Sequence, residues 1–114
     1  MAFAETELKR IDWTVGGLCR RKSPAALRDK VRLEYRVTRH DVLIYETRPA
    51  FHDPRHRIEH GIAKLRFVRP AGEWRLFWLR ASLKWQSYEP FRSSPELAEL
   101  VTEIERDPNG CFFG

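Results

Sequence analysis

Residues 31–37 constrain the fold more than any other stretch of this chain. Val31, Leu33, Tyr35 and Val37 alternate with Arg32, Glu34 and Arg36, a period of two that puts apolar groups on one face of a β-strand and charges on the other. Such a strand needs a neighbour and a cover. The neighbour follows at once: Thr38, Arg39, His40 and Asp41 form a polar turn into a second strand over 42–47, completing a hairpin. That second strand carries Val42 and Ile44 on one side and Leu43 and Tyr45 on the other, which places it inside a sheet.

Strand character resumes over 62–68, turns at Pro70, Ala71 and Gly72, and continues through 73–80; within 74–79, Trp74, Leu76, Phe77, Trp78 and Leu79 leave only Arg75 polar. A short fifth strand is predicted over 83–88, ended by Pro90. Residues 49–60, centred on Asp53 and Pro54, read as a loop.

The cover comes from the two ends. Leu8, Ile11, Trp13, Val15 and Leu18 give residues 5–21 an imperfect helical stripe, with Glu5 and Glu7 at its start and Arg20, Arg21 and Lys22 at its end, as the helix dipole favours. Gly16 and Gly17 each cost up to about 1 kcal/mol against alanine, so a break or kink is expected there. Ser23 and Pro24 then open a short turn through Leu27. The last helix has Ser94 as cap, Pro95 at its first position and Leu97, Leu100, Val101 and Ile104 as its stripe, with Phe112 and Phe113 expected against the core. The expected fold is α+β, one domain over 1–114, with an N-terminal helix, a four- to five-stranded mostly antiparallel sheet and a C-terminal helix.

Several segments carry a family likeness. Residues 28–36, Arg48 with Pro49, residues 74–85, the Tyr88, Glu89, Pro90 run and the terminal 107–114 stretch together resemble the bacterial family catalogued as domain of unknown function 3024. The resemblance spans nearly the whole chain and implies a domain boundary rather than a chemistry. The family pattern often has histidine where this chain has Gln86.

Composition narrows the function classes. Cys19 and Cys111 are too few for a disulfide framework, which points to a reducing compartment. No apolar run approaches the eighteen or so residues of a membrane span, and the first residues do not read as a signal peptide, so a cytoplasmic protein without membrane contact is expected. Residues 1–92 hold 20 basic and 11 acidic side chains, whereas 93–114 hold one basic and five acidic. A basic body favours polyanions, unless the acidic helix packs beside the sheet and cancels its charge.

The leading binding surface is Arg66, Arg75, Arg80, Lys84, Trp85 and Tyr88, because single-stranded nucleic acid requires cations for phosphates and flat rings for bases. The competing readings place the tryptophans in the core, or in a homodimer or other protein interface with an acidic partner. A second basic set, Arg28, Lys30, Arg36 and Arg48, would grip an anion if internal carboxylates did not satisfy it first. His52, His56 and His60 repeat every four residues and would line up as zinc ligands on a helix, which Pro54 opposes. Cys111 would serve as a nucleophile only if the basic sheet lowered its pKa. No glycine-rich phosphate loop precedes a helix, so no cofactor is expected. A binding module therefore ranks ahead of a small metal- or cysteine-dependent enzyme.

Overall fold

The structure, a computed structural model, describes residues 3–27 and 29–114. The N-terminal segment is helical from Glu5 to Arg21, but in three pieces: α1 (Glu5–Ile11), a π-helical turn (Asp12–Gly16) and α2 (Gly17–Arg21). The expected break at the glycines is instead this wide turn just before Gly17. Both glycines keep right-handed helical angles. Ile11, Val15, Leu18 and Cys19 are buried, whereas Trp13 points away and is 80 % exposed, so it leaves the stripe that its sequence position suggested. A 3-10 turn at Ala25–Leu27 leads into the sheet.

Six strands follow: β1 (Arg32–Thr38), β2 (Asp41–Pro49), β3 (Arg57–Val68), β4 (Glu73–Leu79), β5 (Trp85–Ser87) and β6 (Ser93–Ser94). All pairings are antiparallel, in the order β1-β2-β3-β4-β5, with β6 also on β4. β3 is longer than its sequence suggested. The predicted 49–60 loop shrinks to 50–56, because Arg57, Glu59 and His60 pair with Pro49, Thr47 and Glu46 of the long β2 strand. Arg57 also donates from its guanidinium to the Thr47 hydroxyl and carbonyl. A bulge leaves Ile62 unpaired between Ala63 and Gly61, and such an insertion adds local twist. Gly72, at φ +62, closes the β3–β4 hairpin in the left-handed region where glycine carries no Cβ penalty.

α3 (Leu97–Arg106) begins two residues later than expected, behind Glu96. Ser94 belongs to β6, and its hydroxyl accepts from the Glu96 N–H while donating to Glu99. Leu97, Leu100, Val101 and Ile104 are buried as the stripe required.

Residues directly opposite on neighbouring strands share a face, so the register divides the sheet cleanly. One face carries Leu33, Val42, Ile44, Ala63, Leu65, Trp74 and Leu76, all in one core with Ile11, Val15, Leu18, Leu100 and Ile104 of the helices. The helices therefore cover that face alone. Among the described residues, no helix is long and apolar enough to cross a membrane.

At the C-terminus Phe112 joins this core as expected, whereas Phe113, expected there too, is exposed. Asp107, at φ +44, accepts from the backbone N–H groups of Phe112 (3.0 Å), Phe113 (2.8 Å) and Gly114 (3.2 Å). Phe112 is buried against Tyr88, with ring centroids 5.0 Å apart. Asp107→Ala removes this carboxylate acceptor and places a Cβ-bearing residue without a bonding side chain in the left-handed region; we expect a loss of about 2 kcal/mol, read as a lower urea midpoint at unchanged slope.

Candidate nucleic-acid interface

Among the described residues no helix lies over the second face of the sheet, and the register orders its side chains in three ranks. Thr38, Asp41, Arg66, Arg75 and Ser93 form the first, and Arg36, Leu43, Lys64, Phe77 and Ser87 the second. Glu34, Tyr45, Gly61, Leu79 and Trp85 form the third, with the Trp85 ring lying over Gly61 so closely that a Cβ there would meet it at 3.0–3.1 Å. Glycine is thus the residue that lets the indole lie across the sheet. Cations and rings interleave on this face. The Lys64 ammonium lies 5.0 Å from the Phe77 centroid and 5.4 Å from that of Trp85, Arg66 lies 5.9 Å from Phe77, and Arg36 lies 4.7 Å from Tyr45, distances at which a ring quadrupole attracts a cation.

The cations differ in how committed they are. Arg66 forks onto Asp41 through bonds of 2.8 and 3.1 Å, and Arg36 donates to Glu59 at 2.9 Å. These carboxylates raise the pKa of both guanidiniums and occupy their donors. Arg75 only approaches Glu73, at 3.7 Å and without a hydrogen bond. Lys64 has no ion pair among the described residues; burial, then the Arg66 charge, pushes its pKa down, against a smaller opposing pull from Asp41. The acidic helix does not neutralise this face. Glu105 is spent on Arg21 of α2, at 2.8 and 3.1 Å, on the covered side of the sheet.

Of the residues singled out from sequence, Arg66, Arg75 and Trp85 share this open face, while Arg80 and Lys84 stand exposed in the β4–β5 turn, where the Arg80 N–H donates to the Lys84 carbonyl at 3.0 Å. Tyr88 does not belong with them. It is fully buried, and its hydroxyl donates to Glu103 and accepts from Asn109, both at 2.8 Å. A ring held this way is core and offers no stacking surface. Lys64, Phe77 and Tyr45 are the residues that sequence reasoning missed. The alternation of Lys64 and Arg66 with Ala63 and Leu65 was the available signal, but their juxtaposition with Phe77 depends on strand pairing.

The second basic set does not converge. Arg36 lies on the open face, Lys30 in the turn before β1, and Arg48 pairs with Glu46 near the far end of β2; Arg28 lies outside the described residues. His52 and His56 sit in the β2–β3 loop and His60 in β3, so no helix aligns them, and among the described residues no group of three or more His, Cys, Asp or Glu side chains is placed to hold a metal. Burial, then the Asp107 charge, raises the Cys111 thiol pKa, the reverse of the lowering that a nucleophile would require. Cys19 is core, and burial pushes its pKa up to about 12.

No curated protein and no solved structure matches this chain. Residues 3–114 do match the family described as Domain of unknown function (DUF3024), to which the chain therefore belongs.

Proposed function

We propose that the domain binds single-stranded nucleic acid across the open face of its sheet. The observation that carries this reading is the rank containing Lys64 and Phe77 beside the Trp85 ring: a half-buried ammonium with no ion pair among the described residues, 5.0 and 5.4 Å from two aromatic ring centroids. Phe77 and Trp85 provide stacking surfaces, which accept every base because each has a π-face. Lys64, Arg75, Arg80 and Lys84 provide the phosphate contacts, since Arg36 and Arg66 are already engaged by Glu59 and Asp41.

The test is fluorescence anisotropy of the nucleic-acid-free protein with labelled single- and double-stranded oligonucleotides over a salt series. With four phosphate contacts, log K against log salt is expected to fall with a slope of about −3 on single strands, and single strands should bind more tightly than duplex, whose bases are already stacked. Absence of binding at low salt would sink this reading. Salt-insensitive self-association through Phe77 and Trp85 would then assign the same face to contact between copies of the chain.

A further inference from the structure

A hollow of about 310 Å³ opens on the same face, lined by Glu73, Arg75, Ser87, Arg92 and Ser93. Its origin is a detail of the sheet edge. β5 and β6 both pair with β4, and between them the chain steps out through a 3-10 turn at Glu89–Phe91 before the Arg92 carbonyl accepts the Leu76 N–H at 2.9 Å. This detour leaves Ser87 opposite Phe77 and Ser93 opposite Arg75, two hydroxyls one rank apart on one face, with Arg92 between them in the chain.

The side-chain donors around this hollow make no hydrogen bond among the described residues. Neither serine hydroxyl engages another group among the described residues. Arg75 ion-pairs with Glu73 at 3.7 Å and Arg92 with Glu89 at 3.5 Å, each through Nε and without a hydrogen bond. Arg21, Arg36, Arg66 and Arg69, by contrast, each donate to a carboxylate at 2.8–2.9 Å. Two guanidiniums with open forks and two hydroxyls make a donor array for an anion with several oxygens. The hollow is also larger than one water or chloride requires.

We propose that this hollow is a phosphate site, one that seats a phosphate of the strand whose bases lie on Phe77 and Trp85. In that last respect it rests on the nucleic-acid reading; as a site for the phosphate group itself it stands alone. Arg92 and Arg75 clamp the phosphate oxygens, Ser87 and Ser93 donate to them, and Glu73 opposes the ligand by competing for Arg75.

The experiment titrates the isotopically labelled full chain with sodium phosphate, against sodium chloride at matched ionic strength, and follows the amides of Ser87, Arg92 and Ser93. Saturable shifts confined to these residues are expected, about tenfold weaker in Arg92→Gln, the effect of one lost charge-assisted hydrogen bond. Tighter binding is expected in Glu73→Gln, a gain that a purely structural role for the hollow would not produce. Arg92 is exposed and Glu73 partly so, and neither belongs to the hydrophobic core, so both variants are expected to fold. In oligonucleotide binding, Arg92→Gln should also flatten the salt slope by about 0.7. Shifts no different from chloride, or unchanged affinity in Arg92→Gln, overturn the phosphate site. Phosphate binding without oligonucleotide binding would retain the hollow and discard the strand on the sheet; oligonucleotide binding indifferent to Arg92→Gln would retain the strand and overturn the hollow as the seat of its phosphate.

Discussion

Tyr88→Ala is expected to lose about 4 kcal/mol of stability, a large share of what a domain of this size possesses. The ring is fully buried, packs on Phe112 at 5.0 Å and carries a hydroxyl that joins Glu103 of α3 to Asn109 of the terminal turn. Truncation would leave a cavity beneath α3 and free the 107–114 stretch. Tyr88→Phe keeps the ring and should cost about 1 kcal/mol, because only the shared hydroxyl is lost. Urea midpoints at unchanged slope measure both. A change within about 0.5 kcal/mol for Tyr88→Ala, as surface substitutions show, would return Tyr88 to the binding surface and contradict its place in the core. The same burial raises the Tyr88 pKa, reinforced by Glu103 against the opposing Asn109 bond, so the phenol remains a donor at neutral pH.

Trp85→Ala should weaken binding of single-stranded oligonucleotides by about tenfold to a hundredfold, the range of one lost base–aromatic stack. Lys64→Met is the sharper companion because its effects on stability and binding separate. The ammonium is half-buried and its pKa is lowered by burial and by Arg66, so its charge is a burden on the fold. Removing it should leave the thermal midpoint unchanged or higher while flattening the salt slope of binding by about 0.7. Between the lowered folded pKa and the unfolded value, the unfolded chain holds more protons at Lys64, so its contribution to stability rises with pH through that interval. Lys64→Met with wild-type affinity and slope would remove Lys64 from the interface, and Trp85→Ala with wild-type affinity would leave the indole as packing over Gly61.

What the amino acids determined locally came through in the structure. The alternation at Leu33, Tyr35 and Val37 and the spacing of Leu97, Leu100, Val101 and Ile104 each encode a buried face within one element. A strand or helix can express such periodicity without knowing its neighbours. The α+β arrangement of N-terminal helix, antiparallel sheet and C-terminal helix was legible for this reason. β6, the N-terminal half of β3 and the π-helical turn were not, because their formation depends on pairing and packing with residues distant in sequence. The candidate site divides along the same line. Arg66, Arg75 and Trp85 could be nominated by residue type, but Tyr88 lies just beyond β5 and is held in the core by Phe112, Glu103 and Asn109. Lys64 meets Phe77 and Trp85 only because β3, β4 and β5 are neighbours in register. Cross-strand contacts arise from pairing between separate segments, and so the tertiary structure alone decided which cations share a face with which rings.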